Sequence, residues 1–279
     1  MLVSMKEMLA DAQARHYAIP AFDVSNYEMM KAVLDVCEEE GSPALLQGLG
    51  VDMTGKGLNL LTAMVTEASK YYSIPICFHL DHATDLAFIK QAVEAGFSSV
   101  MYDGSVLPFE ENAAMTAAVT EFAHARGITV EAELGTVGGK EDGHSADIAY
   151  TDPDEAIDFF SRTGVDIFAV AIGTAHGFYK GEPKLNFELL DKLAKAIEAP
   201  LVLHGGSGIP DEMIRRTIEL GINKVNFATE LRAAMTVAVR EALTDEGIID
   251  PKKFMGPGRN AVIDLCCHKI KLCGSDGKA

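Results

Sequence analysis

The sequence predicts an α/β fold in which parallel strands close into a barrel, and three observations predict it. Short apolar, β-branched runs alternate with longer amphipathic segments along the chain, making eight strand-then-helix units. Parallel neighbours need a crossover connection, which those helices supply. No GxGxxG turn follows the first strand, as it would in a doubly wound dinucleotide-binding sheet, and eight units exceed what such a sheet usually uses. The 279 residues contain no Pro/Ser/Gly linker and no low-complexity segment, so they are expected to form one (β/α)8 TIM-barrel domain over 1–279, with a C-terminal helical extension.

The elements follow in order. The chain opens with Leu2, Met5 and Leu9 at helical spacing and lacks the basic-then-apolar order of a signal peptide. Strands are expected over 18–22, 43–47, 74–80, 99–102, 129–133, 166–172, 201–204 and 223–226, each a short apolar run. Helical periodicity follows each of them, over 27–39, 59–71, 86–94, 110–126, 153–162, 187–198, 211–220 and 231–243. The stretch 135–152 has four glycines and mixed charges, is too polar for core, and is expected to be an irregular loop of the functional or mobile kind.

Composition removes several classes of function. The 24 Lys and Arg against 41 Asp and Glu leave a net charge of −17, and without a basic run such a chain repels nucleic acid. Hydrophobic residues at 48% supply a large core and exclude a disordered acidic chain. No apolar stretch approaches the ~18 residues of a membrane span, so a cytoplasmic protein without a membrane partner is expected. The five cysteines are odd in number and have no CxxC spacing, which predicts reduced thiols rather than a disulfide framework. Cys266-Cys267-His268 with Cys273 has the composition of a soft metal site, but its helical setting favours packing.

Active sites of such barrels collect where strands end. Here the ends are Phe78-His79-Leu80-Asp81-His82, Tyr102-Asp103-Gly104-Ser105, Glu131-Ala132-Glu133-Leu134-Gly135, Gly173-Thr174-Ala175-His176-Gly177, His204-Gly205-Gly206-Ser207-Gly208 and Asn226-Phe227-Ala228-Thr229. A single histidine at a strand end commonly just caps a carbonyl. His82, His176 and His204 come from three different ends, which can place three imidazoles around one zinc and leave a position for substrate. Strand alternation is expected to turn His79 away, into core or a supporting role. Gly205-Gly206-Ser207-Gly208 leads into a helix and stands where barrels bind phosphate, although such a turn alone is a weak signal.

Leu80-Asp81-His82, Ser99-Val100-Met101-Tyr102-Asp103-Gly104-Ser105, Glu111-Asn112, Val130-Glu131-Ala132-Glu133-Leu134-Gly135, Gly138-Gly139-Lys140-Glu141-Asp142, Ala171-Ile172-Gly173-Thr174-Ala175-His176-Gly177, 203–210, Lys224-Val225-Asn226 and the closing Gly274-Ser275-Asp276-Gly277-Lys278-Ala279 stand in one order over nearly the whole chain. Together they resemble the class II, zinc-dependent ketose-bisphosphate aldolases, of the fructose- and tagatose-bisphosphate kind. The resemblance implies reversible aldol cleavage of a ketose 1,6-bisphosphate to dihydroxyacetone phosphate and an aldehyde, glyceraldehyde 3-phosphate.

It further implies one zinc per subunit on His82, His176 and His204, with Asp103 and Glu133 as supporting or alternative metal positions. Asp81 would be the acid/base at the aldehyde oxygen, and Glu141 would exchange the proton on the nucleophilic carbon. Gly177, Gly205, Gly206, Ser207, Asn226, Phe227, Ala228 and Thr229 would hold the small phosphorylated sugar. A homodimer or homotetramer is implied, and assistance from a monovalent cation stays open. Two departures bear on substrate. Ala228 stands where many fructose-bisphosphate enzymes have Asp, which favours the tagatose configuration, and Leu49 stands near a usual Ser or Thr that helps hold the aldehyde half, so another acceptor aldehyde is an alternative. Two competing readings are a Schiff-base aldolase using Lys224 and a non-catalytic barrel subunit of an aldolase complex.

Overall fold

A computed structural model describes residues 2–141, 144–179 and 181–279, without the side chains of 140–141 and 144–146. The strands in chain order are β1 (Ile19–Asp23), β2 (Ala44–Leu49), β3 (Ile76–Ala83), β4 (Ser99–Tyr102), β5 (Thr129–Leu134), β6 (Gly138–Glu141), β7 (His144–Ala146), β8 (Ile167–Val170), β9 (Ala175–His176), β10 (Leu201–Leu203) and β11 (Ile222–Phe227). Eight of them, β1 to β5 with β8, β10 and β11, close into a parallel barrel that β11 completes by pairing with β1. The eight expected strands are these eight.

The helices are α1 (Met5–Ala14), α2 (Tyr27–Glu39), α3 (Gly57–Ala68), α4 (Leu86–Ala95), α5 (Phe109–His124), α6 (Pro153–Thr163), α7 (Phe187–Ala196), α8 (Asp211–Glu219), α9 (Thr229–Ala242) and α10 (Pro251–Cys273). Local chemistry sets their ends. Asn26, Asp85, Asp152 and Asn186 accept hydrogen bonds from the first-turn N–H groups of α2, α4, α6 and α7, and Gly96 and Gly164 stop α4 and α6 in the left-handed conformation. α10 is the C-terminal helical extension, and the five cysteines form no disulfide.

Period-two alternation divides each strand between two environments. Ala18, Phe22, Leu46, Phe78 and Phe168 pack outward against the helices. Ile19, Ala21, Leu45, Cys77, Ile167, Ala169 and Val202 fill the inside, where Met5, Met8 and Leu9 of α1 close the end at which the strands begin. Two residues further along the strands the filling becomes polar, with His79, Glu131 and Lys224 fully buried. At the strand ends come Asp23, Gln47, Asp81, Glu133 and Asn226.

One expectation changes. Part of the stretch 135–152 is ordered: β6 pairs antiparallel with β7 and parallel with β9, forming a small sheet beside the barrel mouth. Gly139 has φ +92°, and a Cβ there would meet the backbone of His176, so glycine is what allows the close approach. These strands lack the apolar alternation that marks a strand in sequence, which is why they read as loop.

Candidate active site

The centre of the site is made by an irregularity in β3. Its regular part sends Cys77, His79 and Asp81 toward the axis, so His79 lies inside the barrel with Nε2 3.4 Å from Asp81 Oδ1 rather than turned away. The register against β4 then slips between Leu80 and Ala83, and His82 adopts φ +46°. That conformation costs a side-chain-bearing residue on the order of 1 kcal/mol or more. The bulge directs two consecutive residues, Asp81 and His82, toward one mouth, where alternation would have separated them.

The ring protons of two histidines are already assigned by their partners. His82 Nδ1 lies 2.9 Å from Asp103 Oδ2, and His204 Nε2 lies 2.8 Å from Glu131 Oε1. Both carboxylates are ionised. Burial opposes ionisation of Asp103, but His82 and Ser105 outweigh it and hold the carboxyl well below its usual range. Burial also opposes ionisation of Glu131, but Lys224, at 2.8 Å, and His204 bring it down to about 2. An ionised carboxylate only accepts, so each ring keeps its proton on the nitrogen facing its carboxylate. The other ring nitrogens, His82 Nε2 and His204 Nδ1, lie 2.7 Å apart, and with both rings neutral each turns its lone pair toward the other.

Two facing lone pairs repel unless a proton is shared between them or a metal cation lies close. The His176 ring stands edge-on to His82 with centroids 4.8 Å apart, and donor atoms of all three histidines lie within 4.8 Å of one another. Glu133 Oε2 is buried, has no hydrogen-bond partner among the described residues, and is 3.7 Å from His204 Nδ1. Burial first, and then the Asp103 charge, push the Glu133 carboxyl up to about 8. Three imidazole donors, two of them oriented by carboxylates behind, fit a divalent cation of the zinc type. His79, Asp81 and Glu131 form a second cluster of metal-ligating types, but its cation is Lys224, 2.8 Å from Glu131 and 3.9 Å from Asp81.

Asp81 is the polar centre of the adjoining cavity. Gln47 Nε2 donates to its Oδ2 at 2.8 Å and Asn226 Nδ2 at 3.1 Å. Burial would raise its carboxyl, but His82 and Lys224 prevail and hold it well below the usual range. The cavity is lined by Asp81, His176, Gly177, Gly205, Ser207, Asn226, Ala228 and Thr229 from the sequence-derived set, joined by Asp23, Gln47 and Leu49. Gly206 is a turn residue: its N–H donates to the Asn226 carbonyl at 3.0 Å, and a Cβ would fall 2.7 Å from that oxygen. The Phe227 side chain points away, into the outer core beside Phe22. Tyr179 Oη donates to the Gly205 carbonyl and accepts from the Ala175 N–H, which ties the two loops together. Glu141 ends β6 beside the mouth, but its side chain lies outside the described residues.

Several groups escaped the sequence reading. Glu131 orients His204, Gln47 holds Asp81, and Asp23 pairs with Arg232 of α9, whose Nη2 and Nε donate to Asp23 Oδ2 at 2.6 and 3.0 Å. Asp23 and Gln47 had a readable signal, since each is a polar residue toward the end of an otherwise apolar barrel strand, β1 and β2.

The model of the family described as fructose-bisphosphate aldolase class-II matches residues 3–278. The chain belongs to this family. It is 45% identical to a fructose-bisphosphate aldolase of Geobacillus stearothermophilus, over 100% of this chain and 99% of that protein. Among solved structures it is similar to the YdjI aldolase of Escherichia coli K12, with TM-score 0.90, 40% identity and full coverage of both chains. It is also similar to a putative fructose-1,6-bisphosphate aldolase of Coccidioides immitis, with TM-score 0.91, 31% identity and coverage of 98% of this chain and 97% of that one. As a class II aldolase the protein is an aldehyde-lyase acting on small phosphorylated sugars, and the class implies a divalent metal. Among the described residues no helix is long and apolar enough to cross a membrane.

Proposed function

We propose that this enzyme catalyses zinc-dependent, reversible aldol cleavage of a ketose 1,6-bisphosphate, in the tagatose or fructose configuration, to dihydroxyacetone phosphate and glyceraldehyde 3-phosphate. The observation that carries this reading is the convergence of ring nitrogens from three strand ends, with His82 Nε2 2.7 Å from His204 Nδ1 beside His176, at the edge of the cavity that holds Asp81. His82, His176 and His204 would hold the metal, with Asp103 and Glu133 behind them. When bound, zinc supplies Lewis-acid polarisation of the ketone and stabilises the negative charge left as the carbon–carbon bond breaks.

The chain's own groups supply the rest. Asp81 is ionised and is aimed by Gln47 and Asn226, so in cleavage it takes the hydroxyl proton of the carbon that becomes the aldehyde. In condensation the same carboxyl returns that proton to the aldehyde oxygen. Glu141 would exchange the proton on the carbon of dihydroxyacetone phosphate that becomes nucleophilic. The backbone at Gly177, Gly205 and Ser207, with 226–229 entering α9, offers N–H groups and a helix start to the phosphate. Lys224 is a poor Schiff-base candidate, because its ammonium is fully buried and paired with Glu131. A second reading, a different acceptor aldehyde, is favoured by Leu49, an apolar wall 1% exposed in that cavity.

The test is a panel of ketose bisphosphates and ketose 1-phosphates assayed for dihydroxyacetone phosphate release, with chelator and with added zinc. Release that a chelator abolishes and zinc restores is expected. Inactivity on every compound with zinc present refutes the reading. Asp81→Ala should keep its zinc while turnover falls by about 10²–10⁴-fold, and a variant of undiminished turnover would remove Asp81 from the mechanism.

A further inference from the structure

We propose that the acceptor end of the cavity is built for an uncharged, hydroxyl-bearing aldehyde rather than a phosphorylated one, and that Asp23 is the residue that sets this preference. The inference rests on the aldolase reading above and, for the aldehyde half, takes the second of its two readings, a different acceptor in place of glyceraldehyde 3-phosphate. Asp23, Gln47, Leu49 and Asp81 come from the adjacent ends of β1, β2 and β3, with Asp23 in register with Gln47 and Leu49 with Asp81. The phosphate-holding glycines come instead from the segments after β9 and β10, with β11, whose end carries 226–229, standing between β10 and β1. Because Asp81 serves the aldehyde oxygen, the rest of the aldehyde extends over β1 and β2.

What it meets there is a surplus of acceptors. Gln47 must present its NH2 to the ionised Asp81, so its Oε1 is left as an acceptor. Gln47 Oε1 and Asp23 Oδ1 are both buried and have no hydrogen-bond partner among the described residues, on side chains that are 1% and 0% exposed. Buried acceptors of this kind are satisfied by O–H donors and penalised by an anion, which brings only more acceptors. Leu49 adds no polar atom.

Charge points the same way. Arg232 reaches this end, but it already donates twice to Asp23 Oδ2. The charges of Asp52 and Asp81 are both felt at Asp23. A second phosphate would therefore approach a buried carboxylate whose neighbouring cation is shared, with two more carboxylates close by. At pH 8 Asp23 is ionised, since burial, opposed by Arg232, lifts its carboxyl to about 7.

The experiment is condensation at pH 8 of dihydroxyacetone phosphate with D-glyceraldehyde against D-glyceraldehyde 3-phosphate, and with D-erythrose against D-erythrose 4-phosphate, for wild type and Asp23→Asn. Wild type is expected to show at least a tenfold higher kcat/KM for the unphosphorylated member of each pair. Asp23→Asn, isosteric and uncharged, is expected to shift that ratio at least tenfold toward the phosphorylated member. A wild type that prefers the phosphorylated aldehydes overturns the proposal even if the variant fails to fold, and so does a variant that changes both members equally. Zinc-dependent deuterium exchange into dihydroxyacetone phosphate, measured without acceptor, separates the two claims. Exchange with an unaltered acceptor ratio refutes the Asp23 proposal alone, whereas absent exchange in wild type refutes the aldolase reading beneath it.

Discussion

Asp103→Asn tests the reasoning that the carboxylates behind the histidines decide which ring nitrogens carry lone pairs. Asp103 Oδ1 accepts from the Ser105 N–H at 3.1 Å and its hydroxyl at 2.7 Å, while Oδ2 accepts from His82 Nδ1 at 2.9 Å. An asparagine can satisfy only one of these sides. If its NH2 faces Ser105, it meets a backbone donor. If its NH2 faces His82, the ring must accept at Nδ1, its proton moves to Nε2, and the lone pair facing His204 is lost. Loss of such a supporting partner typically weakens metal binding about 10–100-fold, or about 1.4–2.7 kcal/mol. Competition against a chromophoric chelator at pH 7.5 measures the zinc affinity directly, and near-wild-type melting of the metal-free variant separates this effect from unfolding. Zinc affinity within twofold of wild type would refute the tautomer argument.

Other outcomes follow from the same geometry. Glu133 has a folded value of about 8, above its unfolded one, so folding takes up a proton and the metal-free protein loses stability from this group as pH rises from about 4.5 through 8. Glu133→Gln should therefore raise the metal-free Tm at pH 8 by about 2–6 °C, and a lower Tm there would contradict the assignment. Asp166 receives Lys6 of α1, His124 and the Val130 N–H; burial opposes its ionisation, but these partners hold the carboxyl below its usual range. Its contribution is present above the unfolded value near 4 and is lost as pH falls through the folded value. Asp166→Asn should cost about 1–3 kcal/mol in urea unfolding at pH 7, with the gap from wild type narrowing by pH 3; a gap independent of pH counts against it. Gly205 has φ +65°, and a Cβ would stand 2.5 Å from the Ala175 carbonyl oxygen. Gly205→Ala should lower kcat/KM at least about tenfold, and unaltered kinetics would remove this loop from substrate binding.

The barrel was legible because its strands are buried on both faces and its helices on one, which writes two different periods into the chain. The histidine rim was legible for a related reason: in a barrel, any polar group at a strand's end faces the mouth, so His82, His176 and His204 converge once eight strands are counted. What stayed hidden depended on departures from regularity. The slip after Leu80 and the positive φ of His82 have no compositional mark, so alternation placed His79 on the wrong side. β6 and β7 pair through a polar, glycine-rich backbone, and backbone pairing leaves no hydrophobic trace. The Lys224–Glu131–His204 chain joins residues from three strands, 93 positions apart at one step and 73 at the other, which no local pattern encodes.

The chain's net charge of −17 and its affinity for phosphorylated sugars are reconciled inside the barrel rather than on its surface. Asp81, Asp103 and Glu131 are ionised at the site, and Lys224 is the buried ammonium among them, so the local sum is 1 − 3 = −2. Buried charge of that size is costly unless balanced. A divalent cation on the three neutral imidazoles brings the sum to zero, whereas without it burial first, and then the Asp103 charge, keep Glu133 protonated. A cation beside Glu133 offsets the cost of ionising it. Zinc addition to the metal-free protein at pH 7 should release protons into a weakly buffered solution and raise Tm together, and Glu133→Gln should reduce the release while keeping the rise. If zinc binds with no proton release in wild type, Glu133 is not the group that answers the metal's charge. The acidic interior is thus complementary to the cation first, and only the metal-loaded mouth, with the N–H groups around Gly205 and Ser207, becomes attractive to phosphate.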